Sequence, residues 1–172
     1  MRLFIAISFP DEFKKALLDT CAALKTAGVS GNYTKRENLH LTLAFLGEVK
    51  PPEHKKVKDA MAAVDIPAIK IEAGNPGRFG DLLWAGLSAD KSLNGYVASL
   101  RSELKVRDIW YDGKPFKPHV TLVRRAQNYK DVHIDMPRGS FTVEKVSLMK
   151  SERINGRLVY TEIYHVNRRK VD

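Results

Sequence analysis

The chain has 172 residues, 44% of them hydrophobic, so it is long and apolar enough to bury a core. Its formal net charge of +9 and isoelectric point of about 9.7 favour an anionic partner, such as nucleic acid or a phosphorylated small molecule. The single cysteine, Cys21, excludes an internal disulfide framework and a cysteine metal cluster. No apolar run is long enough to span a membrane or to act as a signal peptide, so we expect the reducing cytoplasm and no membrane partner.

The first half of the chain predicts two strands, each followed by a helix. The helices show apolar residues at helical spacing, and the strands are apolar runs bounded by turn residues. In chain order these are a strand at 3–9, a helix from Pro10 to Gly28, a connection at 29–36, a strand at 38–46 and a helix at 53–64.

The second half predicts more strands than helices. In chain order it contains a strand at 69–73, a glycine-rich turn at 74–80, a strand at 82–87, a helix at 91–107, a loop at 109–117, a strand at 118–124, an irregular segment at 127–139 and strands at 141–151 and 158–166. Asn155-Gly156 joins the last two strands and predicts a tight hairpin turn. This order favours an α+β fold over a doubly wound parallel sheet. Each half has a helix leading to a similar strand, so we expect two pseudo-symmetric lobes around a cleft, in a single domain over residues 1–172.

One strand motif occurs twice: His40-Leu41-Thr42-Leu43 is echoed by His119-Val120-Thr121-Leu122. Side chains alternate across a strand, so each copy presents an imidazole and a hydroxyl on one face and two apolar residues on the other. A single copy would be weak evidence, because a buried or solvated strand histidine is common. Two copies, each in the most strand-like part of its half, favour a joint role.

Two histidines on opposite sides of a substrate suit an in-line displacement at phosphorus. One neutral imidazole accepts a proton from the attacking oxygen, and the other, protonated, donates one to the leaving oxygen. Thr42 and Thr121 can donate hydrogen bonds to the non-bridging phosphate oxygens. Arg124 could add a positive charge, but strict alternation places it on the other face from His119 unless a bulge intervenes.

Other chemistries fit these residues less well. No carboxylate or cysteine accompanies the histidines at metal-ligand spacing, so we expect no metal and no cofactor. Nucleophilic attack by a threonine would need one dedicated base, whereas the chain offers two equivalent histidines. The remaining histidines are interpreted as solvated or structural: His54, His133 and His165.

At these residues the chain resembles the two-histidine phosphoesterase superfamily, most closely the bacterial and archaeal RNA 2′,3′-cyclic phosphodiesterases, also called 2′-5′ RNA ligase-like proteins. The resemblance covers nearly the whole chain. It is carried by residues 2–7 with Pro10, by 37–49, by 116–122 with Arg124, and by the strand at 146–151 with Gly156 and Tyr160. The paired His motifs with these flanks are specific, whereas the terminal strands are supportive.

The resemblance implies a bilobal fold in which antiparallel sheets form a central cleft, with the helices outside. It implies hydrolysis of a 2′,3′-cyclic phosphate, on RNA or a nucleoside, to a 2′-phosphomonoester. His40 would be the general acid and His119 the general base, while Thr42 and Thr121 would hold the phosphate. Arg124 matches a basic position after the second motif. Some relatives also join RNA ends through a 2′-5′ linkage, which leaves ligation open as a second activity.

The chain departs from the family pattern at one aromatic position. Relatives often have Trp seven residues before the first motif histidine, where this chain has Tyr33. Stacking of this ring on a base would affect base preference, and packing of the ring in the core would not. The sequence leaves the oligomeric state open, with a monomer as the expectation. The rival hypotheses are a non-catalytic RNA- or nucleotide-binding module with the same cleft, and a metal hydrolase.

Overall fold

The structure is a computed structural model that describes residues 1–133, 135 and 138–170. Within these residues three α-helices and nine strands are interspersed along the chain, which confirms the α+β class. In order they are β1 Arg2–Ser8, α1 Asp11–Thr26, β2 Ser30–Tyr33, a 3₁₀ turn Arg36–Asn38, β3 His40–Glu48, α2 Pro51–Ala62, β4 Lys70–Phe79, β5 Leu82–Ala89, α3 Lys91–Val106, β6 His119–Gln127, β7 Ser140–Thr142, β8 Lys145–Ile154 and β9 Arg157–Asn167.

The strands form two antiparallel sheets, and each His-Thr motif begins a strand of a different sheet. One sheet has the order β3-β1-β8-β9, and the other has the order β2-β6-β5-β4-β7. Helix α1 packs against β6, while α3 packs against β3 and α2 against β9. The apolar stripes of the helices are buried in the core, as predicted. No helix within the described ranges is long and apolar enough to cross a membrane.

A matching irregularity interrupts both motif strands three residues after the histidine. The register of β3 against β1 shifts at Leu43, and the register of β6 against β5 shifts at Leu122. Each shift leaves two successive residues buried, so the next residue lies on the face opposite to the one that strict alternation would give it. Phe45 and Arg124 therefore return to the face of the motif histidines. Because of the bulge in β6, Arg124 lies on the same strand face as His119 and Thr121.

The connection predicted at 29–36 contains a strand that the sequence analysis missed. Residues Ser30–Tyr33 form β2, which pairs with β6. The strand has four residues, and only Tyr33 is large and apolar, so no period-two pattern marks it. The prediction of a simple connection is wrong there.

The glycine-rich turn predicted at 74–80 is wrong over residues 74–79, because β4 continues through Phe79 and pairs with β5 on both sides of an irregularity at Gly74 and Asn75. Gly80, at φ +59°, does lie in the turn that joins β4 to β5, whereas Gly77 within β4 serves close packing. A Cβ on Gly77 would lie 2.1 Å from two ring atoms of Trp84, its cross-strand partner.

The last strands differ from the prediction in one respect. The strand expected at 141–151 is divided into β7 and β8, which belong to different sheets. The hairpin turn at Asn155-Gly156 is confirmed, with both residues at positive φ as a two-residue hairpin turn requires. Part of the irregular segment predicted at 127–139, namely residues 134, 136 and 137, lies outside the described residues.

Candidate active site

Both His-Thr motifs open onto one cavity of about 1150 Å³, which we call the central cleft. The four-stranded sheet contributes His40 and Thr42, and the five-stranded sheet contributes His119 and Thr121. Arg124 and Tyr33 line the same cavity. The structure thus brings together all six of the predicted site residues, from positions far apart in the sequence.

The two imidazoles are held in the same way. Nδ1 of His40 lies 2.7 Å from the carbonyl oxygen of Asn38, and Nδ1 of His119 lies 2.5 Å from that of Lys117. A carbonyl oxygen can only accept, so we assign the hydrogen of each neutral ring to Nδ1. Nε2 is then left to accept or donate the proton of a reaction. In His40 it lies 2.9 Å from Oγ1 of Thr42.

Aromatic rings hold each histidine in place. The ring of His40 packs against Phe4 at 4.9 Å and meets Tyr160 edge-on at 5.2 Å. The ring of His119 lies 5.7 Å from Trp84 and meets Phe79 edge-on at 5.4 Å. Sequence reasoning did not select these aromatic residues as part of the site, although Phe4 and Tyr160 lie in segments that carry the family resemblance. A correct prediction that β1 pairs with β3, the strand that begins with His40, would have placed Phe4 near this histidine.

Lys117 adds a positive charge beside His119. Its Nζ lies 4.8 Å from the centre of the Trp84 ring and 5.4 Å from that of Phe79, a cation–π arrangement. Its carbonyl oxygen is also the acceptor for Nδ1 of His119. Lys117 therefore fixes the orientation of the histidine through its main chain and raises the local positive potential through its side chain.

The electrostatic surroundings of His40 disfavour its protonated, charged form. Burial lowers the pKa of His40 below its ordinary value, and repulsion from Arg124, and from His119 whenever that ring is protonated, lowers this pKa further. The hydrogen bond to the Asn38 carbonyl opposes these effects by favouring the charged ring. An anion bound in the cleft would offset the repulsion from Arg124 and raise the pKa of His40 again.

Tyr33 lies at the boundary between the core and the cleft. Its ring is half-buried against the core, and its hydroxyl donates to the carbonyl oxygen of Val29 at 2.6 Å. The ammonium of Lys25 lies 4.6 Å from the ring centre. Part of the side chain still lines the central cleft, so both interpretations of this aromatic position have a structural basis.

The other histidines do not line the central cleft. His54 contacts the carbonyl oxygen of Val49 at 3.2 Å, and His165 lies 3.3 Å from a carboxylate oxygen of Glu162. His133 is exposed. In the part of the chain that the structure describes, no group of three or more His, Cys, Asp or Glu side chains is placed to hold a metal ion.

Comparison with known proteins adds a family to this geometry. A family model described as LigT like Phosphoesterase matches residues 7–84, which include the first His-Thr motif. An RNA 2′,3′-cyclic phosphodiesterase of Thermus thermophilus is 31% identical over 176 residues, covering 94% of this chain and 87% of that relative. The chain belongs to the LigT-like phosphoesterase family. An RNA 2′,3′-cyclic phosphodiesterase of Escherichia coli is 28% identical over 165 residues, covering 94% of this chain and 93% of that relative.

The fold of this LigT-like phosphoesterase matches a solved structure over almost its full length. The crystal structure of Escherichia coli LigT complexed with 3′-AMP superposes with a TM-score of 0.84 at 28% identity, covering 98% of both chains. That protein was therefore crystallised with a nucleotide that carries a 3′-phosphate.

Proposed function

We propose that this LigT-like phosphoesterase hydrolyses 2′,3′-cyclic phosphates, on RNA ends or on nucleosides, to 2′-phosphomonoesters. One observation carries the proposal: two His-Thr motifs from separate sheets open onto one cleft, with Nδ1 of each histidine held by a main-chain carbonyl. A non-catalytic binding module would not need two imidazoles oriented for proton transfer. The names of the relatives that span most of the chain support the same activity.

In the proposed reaction a water oxygen bonds to phosphorus while the bond from phosphorus to the 3′ oxygen breaks. Nε2 of His119 accepts a proton from the water, and Nε2–H of His40 donates a proton to the departing 3′ oxygen. The hydroxyls of Thr42 and Thr121 donate to the non-bridging oxygens, where charge grows in the transition state. The 2′ oxygen keeps its bond to phosphorus, so the product is a 2′-phosphomonoester with a free 3′ hydroxyl.

The choice of His40 as the acid rests on the family resemblance. It requires that the bound substrate raise the pKa of His40. Burial and Arg124 lower the pKa of His40, so the empty cleft favours a neutral ring. The negative charge of the cyclic phosphate offsets Arg124 and draws a proton onto His40. In this proposal the substrate itself prepares the acid for the reaction.

We further propose that the reaction needs no metal and no cofactor. Each histidine is followed two residues later by a threonine, which is a phosphate donor and a poor metal ligand. Arg124 supplies the positive charge that a metal ion would otherwise provide, and Tyr33 contacts the terminal base. Because one chain supplies both motifs, residues 1–172 can act as a single catalytic domain and a monomer. The proposed location is the cytoplasm.

The product formed in the presence of a chelator tests this proposal. The purified protein is incubated with a nucleoside 2′,3′-cyclic phosphate and excess EDTA, and phosphorus NMR separates the 2′- and 3′-phosphates. We expect the 2′-phosphate alone, formed at the same rate with and without EDTA. A 3′-phosphate product would reverse the roles of the two oxygens, and loss of turnover in EDTA would refute the metal-free reaction. Binding without any product would favour the non-catalytic module.

A further inference from the structure

The tip of the β8–β9 hairpin, residues 151–160, reaches the central cleft beside His40. Nδ2 of Asn38 donates to the carbonyl oxygen of Leu158 at 3.1 Å, and the Tyr160 ring meets both His40 and Phe4 edge-on. The carbonyl of the same Asn38 accepts from Nδ1 of His40. The hairpin tip is thereby fixed relative to the catalytic histidine, although β9 and β3 are the two edge strands of their sheet.

The hairpin tip extends the positive charge of the cleft. Of the residues that the structure describes, five cations and one carboxylate line the cleft; the carboxylate is that of Glu152, which pairs with Lys150 at 2.6 Å. The five cations are Arg2, Lys35, Arg124, Arg153 and Arg157. Within the described ranges none of the five has a carboxylate partner. Unpaired cations gathered in one cleft repel one another, and a bound polyanion relieves that repulsion.

The cations divide into an inner and an outer set. Arg124 lines the cleft together with both His-Thr motifs and lowers the pKa of His40, so it lies beside the reaction centre. Burial raises the pKa of the Tyr160 hydroxyl, and the positive charges of Arg124, Arg2 and Arg153 oppose that rise. Arg153 and Arg157 flank the hairpin turn and are exposed. We call Arg2, Arg153 and Arg157 the outer set. Arg2 and Tyr160 are the two cross-strand partners of Ser151, and all three arginines line the cleft.

The size of the cleft agrees with two anion positions. Its volume of about 1150 Å³ exceeds the roughly 300–1000 Å³ typical of a pocket for one drug-sized ligand. The reacting phosphate at the two His-Thr motifs accounts for the inner set alone. The outer set has no role in that chemistry.

We propose that Arg153 and Arg157, with Arg2 and the Tyr160 hydroxyl, form a second phosphate site that binds the internucleotide phosphate on the 5′ side of the terminal nucleotide. This inference rests on the proposed function and narrows its substrate class. The preferred substrate is then an oligoribonucleotide with a 2′,3′-cyclic phosphate end, not a nucleoside cyclic phosphate. Guanidinium groups suit this task because they bind phosphate oxygens through paired, charge-assisted hydrogen bonds.

Equilibrium binding of three non-reacting ligands tests the second site without relying on turnover. The ligands are a nucleoside 3′-phosphate, the corresponding 3′,5′-bisphosphate and a diribonucleotide with a 3′-phosphate end. We expect the dinucleotide to bind about tenfold more tightly than the nucleoside 3′-phosphate, as one phosphate held by charged donors provides. Equal affinity of these two ligands would overturn the proposal. If the bisphosphate binds more tightly than the nucleoside 3′-phosphate and the dinucleotide does not, the site is specific for free terminal phosphates. That result would also overturn the proposal.

Substitution of the hairpin arginines completes the test. We expect the double variant R153Q/R157Q to remove most of the dinucleotide advantage, while R169Q/K170Q, which removes the same number of charges at exposed residues outside the cleft, retains it. The dependence of dinucleotide affinity on salt should also weaken in the double variant, by about 0.7 in the log–log slope for one lost phosphate contact. An unchanged advantage in R153Q/R157Q would overturn the assignment. A dinucleotide advantage in a protein that hydrolyses no cyclic phosphate would refute the proposed function and leave the second site standing.

Discussion

Replacement of Gly77 by alanine tests the packing beneath His119. The added Cβ would lie 2.1 Å from Cζ2 and Cη2 of Trp84, far inside van der Waals contact. The Trp84 ring is 8% exposed and is not the free end of a flexible side chain, so it must shift by more than 1 Å or the strands must separate. The φ of Gly77 lies outside the left-handed region, so alanine fits the backbone itself and the whole effect is steric.

Overpacking of this kind costs about 1–3 kcal/mol of unfolding free energy. With a urea m-value of about 2 kcal/mol per molar, the unfolding midpoint should fall by about 1 M. Because the Trp84 ring lies 5.7 Å from that of His119, kcat/KM should also fall, by about 10–100-fold for a displacement near 1 Å. Urea titration followed by circular dichroism measures the first effect, and hydrolysis of a nucleoside cyclic phosphate measures the second.

Gly95→Ala is the matched control. Gly95 lies in α3, where a Cβ meets nothing within 4 Å, so alanine should stabilise the protein by about 0.5–1 kcal/mol through helix propensity. The reasoning about Trp84 is refuted if Gly77→Ala unfolds within about 0.5 kcal/mol of the parent protein.

Three more predictions concern the cleft. Arg124→Gln should lower kcat/KM by about 10–100-fold and raise the pKa of His40 in an NMR titration of its ring protons, since a charge that opposes protonation is removed; an unchanged pKa would contradict this. The alkaline limb of kcat should lie at higher pH than that of kcat/KM, because burial and Arg124 lower the pKa of His40 in the free enzyme and the bound phosphate raises it; coincident limbs in the two pH profiles would contradict this. Asn38→Ala should cost about 1–3 kcal/mol in urea unfolding by leaving the Leu158 carbonyl without its donor, and should lower kcat; unfolding at the parent midpoint would count against the role of this hydrogen bond.

The sequence was sufficient where local rules decide the structure. The helices followed their apolar stripes, and Asn155-Gly156 marked the hairpin turn because both residues tolerate positive φ. The repeated His-x-Thr motif located the candidate site, since two strands that each present an imidazole and a hydroxyl have an evident joint use. These signals are short-range and do not depend on which strand becomes a neighbour.

The remaining features depend on partners that are distant in sequence. The return of Arg124 to the cleft face requires a register shift at Leu122, which is defined only against β5. The glycines of β4 are typical of a turn in the sequence, and the need for Gly77 is evident only from its cross-strand partner Trp84. The hairpin tip lies beside His40 because the sheet curls until Asn38 meets Leu158, and no local pattern in the sequence encodes that curl.

The joint action of the two motif histidines is the central claim, and steady-state hydrolysis of a nucleoside 2′,3′-cyclic phosphate by three histidine variants tests it most directly. His40→Ala and His119→Ala each remove one half of the acid–base pair, while His54→Ala changes a histidine outside the cleft. The account predicts that kcat falls by about 10²–10⁴-fold in each of the first two variants and stays at the parent value in the third. Turnover that survives in either His40→Ala or His119→Ala, with the fold intact by circular dichroism, would contradict it.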